Sequence, residues 1–206
     1  DGRAWQVNGE QFDGVVLACP APAAARLVAH LAPTSAATMA AIPAADVAMV
    51  TLAVDLADWP ERLRGYSGYL VPKPMQRLVT AVSFGSQKWS HWADERQVIL
   101  RVSLGRDGLP VLHLDDERLL AAAVDEVGHH LGLTVLPLHA RVTRWAGAFP
   151  QYRPHHAQRV EAALSGLPTG IVAAGAGYRG VGVPACIRSA QNAVAALTHT
   201  LQAVQE

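Results

Sequence analysis

Cysteine is scarce in this 206-residue chain: Cys19 and Cys186 are the only two. They lie far apart and outside any C-x-x-C or metal-ligand spacing. The chain therefore has no disulfide framework to read, and reduced thiols in a cytosolic protein are the expectation. Lysine is nearly absent too, with Lys73 and Lys88 alone among 17 basic residues. That bias goes with an Ala-rich composition and assigns no function. Neither sign of charge is in excess, since 17 acidic residues balance the basic ones. A dominant electrostatic attraction to nucleic acid is thus not indicated. No run approaches the roughly 20 apolar residues needed to cross a bilayer, and no signal-peptide pattern opens the chain. Internal repeats and low-complexity linkers are missing as well.

Two catalytic classes fall away on similar grounds. Without a G-x-S-x-G elbow, nothing supports Ser-His-Asp catalysis. The nine histidines include the adjacent pairs His129-His130 and His155-His156. Neighbours in sequence point in different directions on a helix and do not chelate as an i, i+4 pair would, so no metal site is expected.

What is present is a folded chain. Half the residues are hydrophobic, enough for one sizeable core or two smaller lobes. Residues 4–8 and 11–18 read as strands around the turn signal Asn8-Gly9. A helix over 22–31 follows, with Pro22 at its start, and then a Pro/Ala/Ser/Thr-rich loop to about Pro43. Strand-like runs at 46–56, 68–72, 77–85 and 97–105 are too closely spaced for crossover helices, which predicts an antiparallel or mixed sheet. In 114–133, Leu119, Leu120, Ala123, Val127 and Leu131 fall on one helical face behind an acidic first turn. A strand at 138–150, a helix at 154–167, a strand at 170–175 and a helix from about Val183 to Val204 complete the order. The opening "DGRAWQVNGEQFDGVVLACP" lacks methionine and enters hairpin-like sequence at once, as expected of a chain cut from something longer.

In "GIVAAGAGYRGVGVP" (170–184), Gly175, Gly177 and Gly180 match the dinucleotide-binding pattern G-x-G-x-x-G. The full pattern also needs a second strand and an acidic residue about 20 positions on. Only 26 residues follow Gly180, and the positions near 200 offer His199, Thr200 and Leu201. The match is read as false. What remains is a strand, a glycine turn and a long helix whose positive end suits a negative or electron-rich ligand. A plain turn with glycines for close packing explains the spacing equally well.

Two blocks, "RWAGAFPQYRPHHAQRV" (144–160) and "GIVAAGAGYRGVGVPACIRSAQNAVAAL" (170–197), give the chain a family likeness. It resembles the C-terminal region of the flavin-dependent porphyrinogen oxidases of haem biosynthesis, within the amine-oxidase-like flavoproteins. "VVLACPAPAAARLV" (15–28) and "SFGSQKW" (83–89) are similar to further family segments. His155 stands where the family usually has glycine, Ala190 replaces a common glycine, and the family's N-terminal nucleotide fingerprint is not in this chain.

The resemblance implies an α+β (α/β) fold: a mixed or antiparallel substrate-domain sheet with helices, plus the C-terminal strand and helix of an FAD domain. It assigns 1–31 and 169–206 to the FAD-binding domain and 32–168 to the substrate domain. FAD is the implied cofactor, held by Trp145, Gly175, Gly180, Val181, Gly182, Val183 and Pro184. Arg179 is the candidate for a substrate propionate or a phosphate, against the alternative of a solvated surface arginine. Trp89 and Trp92 either border a porphyrin-sized cavity or belong to the core. No general base stands out, so catalytic residues are left unassigned. The implied partners are a porphyrinogen, oxygen and the rest of a longer flavoenzyme. The location is cytoplasmic, or peripheral to a membrane for the complete enzyme. Alone, the chain is expected to be inactive, to hold little FAD and to self-associate through exposed apolar edges. Another enzyme of the superfamily, such as an amine oxidase or a carotenoid desaturase, and a non-catalytic binding domain are the open alternatives.

Overall fold

The computed structural model describes residues 4–93 and 95–205. The first three residues of the expected 1–31 segment and the last of the expected 169–206 segment therefore lie outside the described residues. The chain forms two compact units, one from residues 1–44 with 150–206 and one from 45–149. The expected limits at 31/32 and 168/169 fall inside the first of these.

The first unit opens with a hairpin of β1 (Trp5–Val7) and β2 (Glu10–Phe12). Its two-residue loop, Asn8-Gly9, has positive φ at both positions, 52° and 88°, the geometry that suits the right-handed twist of the flanking strands. The expected 11–18 strand breaks at Asp13-Gly14. There the last helix passes so close that a Cβ on Gly14 would come within 2.8 Å of the Leu197 side chain. The chain resumes as β3 (Val15–Leu17), which pairs in parallel with β9 (Ile171–Ala173).

Four helices belong to this unit: α1 (Ala21–Val28), α2 (Pro33–Ala40), α5 (His156–Ser165) and α6 (Val183–Gln205). The stretch expected to loop to Pro43 is the helix α2. Pro33 presets its first turn, and the alanines outweigh the turn-forming Ser and Thr. Thr38 Oγ1 donates to the Thr34 carbonyl, and Ser35, Ala36 and Met39 are buried. Leu17, Ala24, Val28, Met39, Val160, Ala163, Ile171 and Tyr178 make the core.

The second unit is an antiparallel sheet beneath a helix. β4 (Ala44–Asp55), β5 (Gly68–Leu70), β6 (Val79–Phe84), β7 (Gln97–Leu104) and β8 (Pro137–Pro150) lie in the order β5-β6-β7-β4-β8. A short helix, α3 (Gly85–Lys88), follows β6, and α4 (Asp116–Leu131) covers the sheet. Alternation is strict in β7, where Val98, Leu100, Val102 and Leu104 are buried between half-exposed neighbours. Leu119, Ala123 and Val127 of α4 are fully buried in the same core, on the face that helical periodicity selects. Leu119 and Val127 each contribute about 2 kcal/mol by leaving water, and the Ala123 methyl less than about 1 kcal/mol.

The ends of α4 are written in the sequence. Asp115 accepts from the Arg118 N–H at the start, and Gly132 closes the helix in the left-handed region at φ 62°. One polar group enters the core: Glu126, 4% exposed, accepts the N–H groups of Leu78 and Val79 at 3.0 Å each. These elements make the chain an α+β protein.

Candidate functional site

Beyond β9 the chain turns through residues 174–182 before α6 begins. Gly175, Gly180 and Gly182 have φ of 128°, 120° and 103°, which side-chain-bearing residues rarely adopt. Gly177 is not among the positive-φ glycines, and it answers a different need. A Cβ there would press to 3.3 Å from the Cβ of Ala21 in α1. Both readings of the glycines, special geometry and close packing, therefore apply within one loop.

The helix that follows is 23 residues long and carries Pro184 in its first turn. Gly182 accepts from the Cys186 N–H at 3.0 Å, which starts the intrahelical ladder. The N–H groups before Cys186 have no intrahelical partner, so the positive end of α6 faces outward. Beside it, Val181 and Val183 are 50% and 73% exposed. Apolar side chains flanking a positive helix end suit a flat, electron-rich ring carrying partial negative charge.

Three side chains hold the turn. Ser189 Oγ, buried on α6, accepts the Gly175 N–H at 3.1 Å. The Tyr152 hydroxyl donates to the Ala176 carbonyl and accepts from the Gly180 N–H, both at 2.7 Å. His156 Nε2 lies 3.1 Å from the Tyr178 carbonyl, and a carbonyl only accepts, so the ring proton sits on Nε2. The Tyr152 and His156 rings stack, with centroids 3.8 Å apart and planes at 14°. None of these roles was visible in the sequence. Each bond joins residues 14 to 28 apart, and its partner is a backbone group that no side-chain pattern marks.

Tyr178 is 2% exposed, and its hydroxyl has no hydrogen-bond partner among the described residues. Burial first, and the neighbouring Cys19 second, push its phenol up to about 12. Tyr178 also lines a pocket of about 280 Å³ with Leu164, Val172, Ser189, Asn192 and Ala196.

The remaining candidates are spread out. Arg179 is half exposed and ion-paired to Glu161 of α5. Trp145 lies on β8 in the second unit, 53% exposed. Trp89 and Trp92 are half-buried and pack on each other, centroids 5.0 Å apart, with Lys88 over the first ring and Arg101 over the second. His129 and His130 sit in the last turn of α4, where His130 Nδ1 meets the Tyr69 hydroxyl at 3.1 Å. Burial, and then the charge of Glu126, raise the Tyr69 phenol well above its ordinary range. Among the described residues no group of three His, Cys, Asp or Glu could hold a metal ion. No described helix is long and apolar enough to cross a membrane.

Comparisons with known proteins agree on one lineage. Over 98% of its length the chain is 38% identical to a coproporphyrinogen III oxidase of Mycobacterium bovis, of which it covers 45%. It is 30% identical to a protoporphyrinogen oxidase of Bos taurus, covering 97% of this chain and 44% of that one. A crystal structure of a candidate protoporphyrinogen oxidase from Exiguobacterium sp. 255-15 superposes with a TM-score of 0.75 at 26% identity. That match covers 94% of this chain and 45% of the other. The chain thus spans under half the length of these relatives. Residues 2–198 match the family described as flavin containing amine oxidoreductase, and the chain belongs to that family.

Proposed function

We propose that this chain is the C-terminal part of an FAD-dependent, oxygen-using porphyrinogen oxidase of the cytoplasm, acting on coproporphyrinogen III or protoporphyrinogen IX. The observation that carries the reading is the match to a coproporphyrinogen III oxidase across 98% of the chain. A bound flavin would supply the redox chemistry, with a hydride leaving a bridge carbon of the porphyrinogen, a pyrrole N–H giving up its proton, and oxygen taking the two electrons as hydrogen peroxide.

The residues present fit such a group. The outward N–H groups of α6 would stabilise negative charge on a bound flavin ring. Val181 and Val183 give that ring an apolar flank, and Gly175, Gly180 and Gly182 supply the backbone path that brings them there. Pro184 fixes the first turn of the helix. Arg179 is assigned to a propionate, which it would meet by exchanging Glu161 for the ligand. The unit built from both ends of the chain would complete the FAD domain, and the middle unit would be part of the substrate domain.

The test is the full-length protein supplied with each porphyrinogen in turn. Growth of porphyrin fluorescence with one of them supports the reading. A flavin-loaded enzyme that yields no porphyrin, or that oxidises primary amines instead, overturns it. The chain alone is expected to hold little FAD, and a stoichiometric flavin spectrum from it would contradict that part of the proposal.

A further inference from the structure

The turn that leads into α6 is built from residues that resist being held in one shape. Three of its glycines sit at positive φ, and glycine loses more backbone freedom on ordering than any other residue. Something outside the turn must fix it. Ser189 ties down the first glycine, and His156 ties down Tyr178 in the middle. Nearest α6, Glu161 reaches the Arg179 side chain, while the backbone is reached by one side chain alone, Tyr152, among the hydrogen bonds described. Tyr152 spans it, giving its proton to Ala176 and taking that of Gly180.

We propose that Tyr152 is a positioning residue for the cofactor: its single hydroxyl bridges Ala176 and Gly180 and so sets the aim of Val181, Gly182 and the first turn of α6. This rests on the flavin-binding reading above and gives it a residue that acts through the backbone of the turn. The ring is placed by its stack on buried His156, so the hydroxyl arrives without a search among rotamers. A turn ordered before the ligand arrives spares binding the entropy of ordering it.

Tyr152→Phe keeps the stacked ring and removes the bridge. Tyr152 is an exposed residue, so the variant folds. In the full-length enzyme it is expected to weaken FAD binding about five- to tenfold, read by flavin fluorescence on titrating the apoenzyme. Hydrogen exchange at the Gly180 amide rises by about tenfold in the same protein without flavin, and the urea midpoint falls by no more than that tenfold opening accounts for. An unchanged dissociation constant overturns the proposal, and so does a lowered urea midpoint with FAD affinity intact, which marks a structural role. A wild-type enzyme that holds no flavin overturns the function and this role together. A wild-type enzyme that holds it beside an indistinguishable variant overturns the role of Tyr152 alone.

Discussion

The two units are held together differently. The middle one relies on repetition, with strands of alternating residues packed under one amphipathic helix and a cap at each helix end. The unit made from the chain's two ends has only a three-residue parallel pair at its centre. Its defining loop is fixed by individual hydrogen bonds to backbone atoms. Burial of apolar surface is non-directional and tolerates small errors, whereas a loop held by a few bonds has a shape that single atoms decide. The first kind of construction gives stability, and the second gives a site.

The sharpest probe of that contrast is Leu119→Ala. Leu119 is fully buried against the sheet, and truncation is expected to cost about 3 kcal/mol, read as a lower urea midpoint and lost amide protection in α4, β6 and β7. A neutral result would break the comparison, because the middle unit would then not depend on its helix face. Gly180→Ala tests the other side. Its φ of 120° excludes an ordinary side chain, and the new Cβ would meet that of Ala185 at 2.8 Å. The expected loss is about 2 kcal/mol, with the change in hydrogen exchange confined to residues 174–186.

Tyr178 supplies a pH signature of the end-built unit. In the unfolded chain its phenol ionises near pH 10, and in the fold near 12. The neutral form is the one the fold prefers, so its stabilising contribution is complete below pH 10 and lost as pH rises from 10 to 12. Tyr178→Phe removes an unpartnered hydroxyl, so stability at pH 7 is expected to hold or rise. The variant's denaturation midpoints between pH 10 and 12 fall less steeply than the wild type's. Equal slopes would show that other groups govern the alkaline limit.

The smallest effect concerns His155, which sits in the left-handed region at φ 63°, where glycine carries no steric cost. Relief of about 1 kcal/mol of backbone strain is partly offset by about 0.5 kcal/mol of extra chain entropy in the unfolded state. His155→Gly should therefore raise the melting temperature slightly. A drop would give more weight to the contact between His155 Nδ1 and Gln158 Oε1, 3.1 Å long.

Much of the fold was legible in residue order. The apolar, β-branched runs of β4 and β7 announce strands, and the one-sided apolar face of α4 announces a helix at a period of 3.6. Asp115 and Gly132 mark the limits of α4, and Asn8-Gly9 marks a hairpin. α2 was hidden because Ser and Thr favour turns in isolation, and Pro33, the alanines and the burial of Ser35 and Met39 together tip that stretch to helix. At the site, the glycines and Pro184 stood out because backbone geometry demands those residue types. Tyr152, His156 and Ser189 did not, since a hydrogen bond to a distant carbonyl or amide leaves no periodic trace.

The split make-up of the first unit also constrains the order in which the protein can assemble. Val15 pairs with Ile171, so the parallel ladder cannot form until β9, more than 150 residues after β3, has left the ribosome. Residues 45–149 are contiguous and can fold as soon as they emerge. Once folded, they replace a long floppy tether between the two ladder strands with a compact one. That lowers the entropy cost of closing the loop. The middle unit can thus fold before the ladder closes, and the glycine turn follows β9 in the order of synthesis.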